Sequence, residues 1–185
     1  MTVLRECGYC GGPHGRPRFP GATLDYSVSH TDGWLVIAVV GRGLVGVDVE
    51  RVDRVREVAG LADAILTPGE RDHLGTVPGP ARGAWLAAAW TRKEAAMKVT
   101  GLGLRAGPRR LDVRAGTLGP QAVPRWSGSG PIHLYDLPAP AGHRCALAAT
   151  EPVGSISVAT LGGSATRAAT KCRTPALASG HGVED

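Results

Sequence analysis

Two short segments limit the possible folds of this chain more than any other part of its sequence. Residues 46–52 alternate in the manner of a strand, whereas residues 90–98 follow the pattern of a helix. Successive side chains of a strand point to opposite faces, so we expect Asp48 and Glu50 to share one face. The valines that alternate with these acids should then belong to the core.

The helical segment adds two charged groups to this pair. Helical spacing stacks Glu94 and Lys98 one turn apart on one stripe, so three carboxylates and an ammonium group can converge. Mg²⁺ takes oxygen ligands, and a lysine neutralises phosphate charge that the metal does not reach. The pattern therefore indicates chemistry on a Mg²⁺-bound phosphate ester. Taken alone, the Glu–Lys spacing is also that of a helix-surface ion pair worth about 0.2–0.5 kcal/mol.

Composition places the chain among globular proteins that do not span a membrane. It has 185 residues, of which 43% are hydrophobic. Its longest apolar runs, residues 34–40 and 84–90, are far shorter than the roughly 20 residues that cross a bilayer. The first 12 residues lack the apolar centre of a signal peptide. The four cysteines do not form a disulfide framework, so we expect a cytoplasmic protein with no membrane partner.

The net charge predicts an acidic partner and fits a nucleic acid, a polyphosphate cofactor or an acidic protein equally well, while the low aromatic content disfavours a nucleic acid. The net charge is +5, while aromatic residues make up only 4% of the chain. Few aromatic side chains are therefore present for the base stacking that single strands require. Only three of the 21 basic residues are lysines, and two of them, Lys93 and Lys98, lie in the helical segment. That placement supports a need for compact ammonium groups there.

Turn signals and periodicity predict an α+β fold of two similar lobes. Each lobe is expected to hold a small antiparallel three-strand meander packed with helix. The two meanders share few identical residues, so the sequence leaves open whether the lobes are related by pseudo-symmetry. The predicted strands are residues 24–30, 34–40, 44–50, 132–137, 144–150 and 155–161, and the predicted helices are residues 55–66, 68–74 and 81–100. The expected domains are an N-terminal lobe at residues 1–54, a C-terminal lobe at 55–162 and a disordered tail at 163–185.

Five ordered motifs carry a resemblance to a known family. Besides residues 46–50 and 90–98, these are residues 15–17, 27–30 and 101–104. Together they resemble the 4′-phosphopantetheinyl transferase superfamily, in particular the Sfp type that activates polyketide and nonribosomal peptide carrier proteins of secondary metabolism. The resemblance covers roughly residues 7–160 and implies the fold of such transferases.

The resemblance implies a holo-[acyl-carrier-protein] synthase activity. Such a transferase moves 4′-phosphopantetheine from coenzyme A to a serine of an apo acyl or peptidyl carrier protein, and leaves adenosine 3′,5′-bisphosphate. Residues matching Asp48, Glu50 and Glu94 hold Mg²⁺ on the pyrophosphate, and the residue matching Lys98 contacts the reacting phosphate. Glu94 would also act as general base and Lys98 would stabilise the leaving phosphate, so both are the expected catalytic residues.

Further coenzyme contacts are implied at the start of the chain and in the helix. His30 and Arg16 resemble the family's contacts to the coenzyme phosphates, with Ser29 beside them. Arginine replaces the lysine more usual in the family, and it still grips a phosphate bidentately. Lys93 is a further candidate for phosphate binding, although it faces about 100° away from Glu94 on the helix.

A separate motif, Cys7-x-x-Cys10 with His14, has two interpretations. It has metal-ligand residues at a spacing that suits zinc, but a structural zinc site needs a fourth ligand. The alternative is a glycine-rich turn that leads into Gly15. The sequence leaves the choice open.

Two other functions compete with the transferase. A Mg²⁺-dependent nuclease would use acid-x-lysine spacing on a strand, which Glu94 and Lys98 do not show. A catalytically impaired fragment or binding module that recognises coenzyme A or a carrier protein is the stronger rival, since few residues precede Gly15. The first lobe is then expected to be incomplete and to expose apolar surface.

The expected assembly is a monomer that meets an acidic carrier protein. Arginines near the two motifs are candidates for steering this partner: Arg51, Arg54, Arg56, Arg105, Arg109 and Arg110.

Overall fold

The computed structural model describes residues 3–8, 10–57, 60–114, 131–161 and 168–173, the last range by its backbone alone. The strands are β1 (Leu4–Arg5), β2 (Pro17–Arg18), β3 (Asp25–Thr31), β4 (Trp34–Val40), β5 (Val45–Arg51), β6 (His133–Leu137), β7 (His143–Ala149), β8 (Ser155–Thr160) and β9 (Ala168–Arg173). The α-helices are α1 (Val52–Glu57), α2 (Leu61–Ile65), α3 (Pro68–Thr76) and α4 (Gly79–Thr100), and 3₁₀ turns cover Gly103–Ala106 and Pro108–Arg110.

The chain divides into two compact units, Met1–Glu151 and Pro152–Asp185. In the second unit, β8 pairs antiparallel with β9. Part of the tail predicted to be disordered from residue 163 thus forms a strand. Residues 162–167 and 174–185 of that tail lie outside the described residues. The predicted lobe boundary after residue 54 stays a prediction.

The predicted α+β class, small antiparallel sheets packed with helices, is confirmed, but the third strand of each predicted meander pairs elsewhere. Strands β3 and β4 form one hairpin, and β6 and β7 form another. Strand β5 pairs with β7 to give the order β5-β7-β6, whereas β8 pairs with β9. Strand β5 therefore belongs to the same sheet as β6 and β7. Turn signals in the sequence do not predict a pairing between strands so far apart in the chain.

The other edge of β5 is satisfied by side chains of β3. The amides of Val45, Val47 and Val49 donate to Asp25 Oδ2 at 2.7 Å, Ser27 Oγ at 3.1 Å and Ser29 Oγ at 3.3 Å, respectively. Each pair is offset by the same number of residues, so β3 runs alongside β5 in the same direction. Buried amides must be paired, and these short polar side chains take the place of a second strand's carbonyls.

Helix α4 packs on the face of β5 that carries the acids. The predicted helix over residues 81–100 is confirmed, and it ends at Gly101 in the left-handed conformation, with φ 69°. Alanines dominate its buried side and allow close packing of the helix on the sheet. Larger side chains complete the core, among them Ile65, Leu66, Met97, Leu111 and Ile132.

Gly46 explains how closely the helix approaches the strand. A Cβ atom at this position would lie 1.9 Å from the carbonyl oxygen of Ala95 in α4. We expect Gly46→Ala to lower the free energy of unfolding by about 3 kcal/mol or more, because backbone would have to move. Gly41→Ala is the matched control, since that glycine has open space around it. Urea unfolding of both variants tests this, and equal small losses would contradict it.

The hairpin of β3 and β4 has an exposed apolar face. Leu35, Ile37 and Val39 of β4 are 64%, 58% and 63% exposed. This matches the expectation of apolar surface on the first strands. No helix in the described part of the chain has the length and apolar character that crossing a bilayer would require.

Candidate active site

Asp48 is the centre of the polar cluster between β5 and α4. It lies on the central part of β5 and is only 3% exposed. Its Oδ1 accepts hydrogen bonds from Ser29 Oγ and from Lys98 Nζ, both at 2.8 Å. The ammonium group also donates to the carbonyl of Val47 at 2.9 Å. The strand and the helix thus hold Asp48 and Lys98 together as an ion pair.

The second oxygen of Asp48 is free to bind a cation. Asp48 Oδ2 is buried and has no hydrogen-bond partner. A buried carboxylate oxygen without a partner is costly, and a hard cation is the kind of group that would satisfy it. The Asp48 carboxylate therefore suits a hard cation such as Mg²⁺, whereas Asp48, Glu50 and Glu94 are not among the described groups whose ligand atoms already lie together around one point.

Glu50 and Glu94 both respond to the charge of Asp48. Burial, and then repulsion from Asp48, raises the pKa of Glu50, while a hydrogen bond from the Trp90 side chain and the charge of Lys98 lower it. Burial, followed by Asp48, raises the pKa of Glu94 to about 7, and Glu50 adds to that repulsion. The three predicted metal ligands and Lys98 are therefore close enough to influence one another. Without a bound cation, the three carboxylates repel one another.

The raised pKa of Glu94 gives the metal-free protein a pH-dependent stability. The folded chain holds this proton up to about pH 7, whereas the unfolded chain releases it near 4.5. In EDTA the free energy of unfolding should therefore fall as the pH rises from about 4.5 to 7 and then level off. Urea unfolding at several pH values checks this. Glu94→Gln should flatten the decline, and an unchanged slope would contradict the assignment.

The position of Lys93 does not favour its predicted role in phosphate binding, which stays a prediction. Its side chain is fully buried, and its Nζ lies 2.8 Å from Glu70 Oε2. The ammonium group also donates to the carbonyls of Pro108, at 2.8 Å, and Leu111. Burial lowers the pKa of Lys93, and Glu70 opposes that shift. An ammonium group with three internal partners is a structural tie between α3, α4 and the 3₁₀ turns.

Arg16 is likewise engaged inside the protein. Its Nη1 donates to the carbonyl of Lys98 and its Nη2 to the carbonyl of Val45, both at 2.6 Å. It also forms an ion pair with Asp25. The guanidinium group therefore joins the end of α4 to the start of β5, so its predicted contact with coenzyme phosphate is not favoured by this geometry.

Ser29 and His30 take different positions on β3. The Ser29 side chain is buried and donates to Asp48, so it orients a proposed metal ligand, while its place beside the coenzyme stays a prediction. His30 follows on the opposite face of the strand and is exposed. Its coenzyme role stays a prediction.

Three residues that contribute to the site were not identified by sequence reasoning. The Trp90 side chain hydrogen-bonds Glu50. Asp25 and Ser27 extend the ladder that holds β5 beside β3. Short polar residues at 25, 27 and 29 repeat with the period of a strand, and that repeat was the available signal.

Comparison with protein families identifies the region that holds the site. A model of the 4′-phosphopantetheinyl transferase superfamily matches residues 44–148, which is more than half of the chain. The matched region contains β5 and α4 and hence Asp48, Glu50, Glu94 and Lys98.

Relatives of known name match a shorter part of the chain. Enterobactin synthase component D of Escherichia coli K12 is 36% identical over 110 residues, which cover 58% of this chain and 52% of the relative. The protein of the same name from Shigella flexneri matches with the same identity and coverage. The chain thus spans about half the length of the curated relatives it matches.

Solved structures with similar folds are holo-acyl-carrier-protein synthases. The Plasmodium yoelii enzyme has a TM-score of 0.45 at 17% identity and covers 57% of this chain and 91% of its own. The Thermotoga maritima enzyme has a TM-score of 0.41 at 20% identity, with coverages of 66% and 70%.

Proposed function

Because the chain belongs to the 4′-phosphopantetheinyl transferase superfamily, we propose that it transfers 4′-phosphopantetheine from coenzyme A to a serine of an apo carrier protein. The observation that carries the proposal is that the buried Asp48 Oδ2 has no hydrogen-bond partner. Glu50, Glu94 and Lys98 are the charged neighbours of Asp48. Such a site suits a divalent cation and a polyphosphate. The other product is adenosine 3′,5′-bisphosphate.

Asp48, Glu50 and Glu94 would hold Mg²⁺, which when bound neutralises charge on the pyrophosphate of coenzyme A. Lys98 is 28% exposed, so its ammonium group can reach a phosphate while it stays anchored to Asp48. It would stabilise the charge that builds on the leaving phosphate oxygen. The hydrogen bond from Ser29 keeps Asp48 in position throughout.

Glu94 is the proposed general base. A carboxylate at this position can take a proton directly or through a metal-bound water. It would take the proton from the carrier serine as the serine oxygen bonds to the phosphorus that bears pantetheine. The bond from that phosphorus to the bisphosphate leaving group then breaks.

The carrier would be an acidic acyl or peptidyl carrier protein, with the nonribosomal peptide context suggested by the relatives named enterobactin synthase component D. Arg51 ends β5 and Arg54 lies in α1; both share Asp32 as an exposed ion-pair partner, and Arg51 also pairs with Asp53. Exposed ion pairs are weak, so both arginines can turn to an incoming carrier. We further propose a monomer in the cytoplasm with no nucleic-acid partner.

Incubation of the purified chain with Mg²⁺, coenzyme A and an apo carrier protein tests the function. Mass spectrometry should show one phosphopantetheine group on the carrier, and chromatography should show one adenosine 3′,5′-bisphosphate. A carrier whose serine is replaced by alanine is the control. Coenzyme A binding without transfer would instead favour the rival function, a binding module. The absence of both binding and transfer would overturn the proposal.

A further inference from the structure

The loop between β1 and β2 gathers three metal-binding side chains that the proposed transfer does not use. The ligand atoms of Cys7, Cys10 and His14 all lie within 4.8 Å of one another, and Cys10 Sγ is 3.0 Å from His14 Nε2. Tetrahedral zinc with bonds of about 2.0–2.3 Å separates its ligand atoms by about 3.3–3.8 Å. The three atoms can therefore surround a zinc ion after small side-chain rotations.

The backbone of the loop is arranged to hold the two thiols together. The amide of Gly11 donates to the carbonyl of Cys7 at 2.8 Å, and the amide of Cys7 donates to the carbonyl of Gly12 at 2.8 Å. Gly11 has φ 68°, a conformation that glycine adopts without strain. This tight turn follows the Cys-x-x-Cys spacing of structural zinc sites.

The loop also closes immediately after the histidine. A Cβ atom at Gly15 would lie 2.0 Å from the carbonyl oxygen of Glu6, so the chain segments on either side of the three ligands are in direct contact. Strands β1 and β2 pair beyond this contact, with Arg5 opposite Pro17. The ligands therefore sit in a closed loop whose two ends are fixed.

We propose that Cys7, Cys10 and His14 bind one Zn²⁺ ion, with water in the fourth position. Thiolate and imidazole ligands favour zinc over the hard cations that suit the acids. In the described part of the chain, no fourth cysteine, histidine or acid joins the group. Cys10 and His14 are exposed, so a metal ion can reach them.

The metal would order this loop and, through it, the position of Arg16. This arginine follows the loop directly, and its guanidinium group joins Val45 of β5 to Lys98 of α4. Four of the eleven residues 6–16 are glycines, so the loop loses much conformational entropy when it orders. Zinc binding would offset that loss and hold Arg16 in place.

Cobalt titration of the reduced chain tests the site. Co²⁺ takes the place of Zn²⁺, and a thiolate ligand produces a near-ultraviolet charge-transfer band that carboxylate ligands do not produce. One equivalent of Co²⁺ should saturate this band, and Zn²⁺ should displace it. Substitution of a residue that only contacts a metal ligand typically lowers the metal affinity about 10–100-fold. Because Cys7 and Cys10 are proposed as ligands themselves, Cys7→Ser and Cys10→Ser should each lower the cobalt affinity by more than that.

Two controls keep the result specific. Cys145→Ala removes a buried thiol of β7, and His143→Gln removes a histidine outside the loop; both should leave the band unchanged. Zn²⁺ should raise the melting temperature of the wild type but not of His14→Gln, whose substitution affects only an exposed side chain. A wild type without the band, or a band that survives both cysteine substitutions, would overturn the proposal.

Discussion

Replacing Asp48 with asparagine should reduce phosphopantetheine transfer at least about 100-fold and leave the chain folded. Asparagine keeps one oxygen to accept from Ser29 and Lys98, as Oδ1 does in the structure. It presents an N–H group where the buried, partnerless Oδ2 lies, and an N–H group cannot bind a cation. Initial rates of holo-carrier formation measure the loss.

Asp63→Asn is the control for this experiment. Asp63 is an exposed acid whose side chain is 81% accessible and pairs with Arg71 at 3.5 Å. The control should keep wild-type activity, and circular dichroism should show that both variants are folded. A folded Asp48→Asn variant with a near-normal rate would show that this carboxylate does not hold a catalytic metal.

Lys93→Met should lower the free energy of unfolding by about 3–5 kcal/mol, because it leaves the buried Glu70 carboxylate without its cation. Glu70 also accepts from the amides of Thr67 and Val113, at 2.8 and 2.7 Å, so it cannot move to water without breaking the start of α3. The double substitution Glu70→Gln with Lys93→Met should recover part of the loss, since no unpaired charge remains. Denaturant unfolding measures each value.

Arg71→Met is the matched control, because it removes an exposed cation and should cost less than about 1 kcal/mol.

The affinity for coenzyme A separates the two roles considered for Lys93. Under conditions where the Lys93→Met variant is folded, its affinity should equal that of the wild type. A selective loss of coenzyme affinity with little loss of stability would restore the phosphate-binding role.

The sequence predicted the convergence of Asp48 with Lys98 because both positions follow from local periodicity. Strand alternation sets the face of Asp48, and helical spacing sets the stripe of Lys98. The angle of Lys93 away from Glu94 was also visible, but its buried partner was not. Glu70 lies 23 residues earlier in the chain, and only tertiary packing brings the two together.

Arg16 shows why the remaining assignments were not predictable. Besides Asp25, its partners are the backbone carbonyls of Val45 and Lys98, and every residue has a carbonyl, so no side-chain pattern marks these two contacts. The pairing of β5 with β7 could not be predicted for a similar reason. Strand periodicity indicates which side chains share a face, but it does not identify the strand that pairs alongside. Local spacing therefore predicted the acids and the helix, whereas long-range backbone contacts decided the pairing of β5 and the contacts of Arg16.

Electron paramagnetic resonance of Mn²⁺, used in place of Mg²⁺, tests the central claim most directly. With coenzyme A present, the chain should bind Mn²⁺ at the acids, and the spectrum should show hyperfine coupling to phosphorus of the pyrophosphate. Asp48→Asn should abolish this coupling, whereas Asp63→Asn should leave it intact. Phosphorus coupling that persists in the Asp48→Asn variant, or Mn²⁺ that binds the wild type without any phosphorus coupling, would contradict the account.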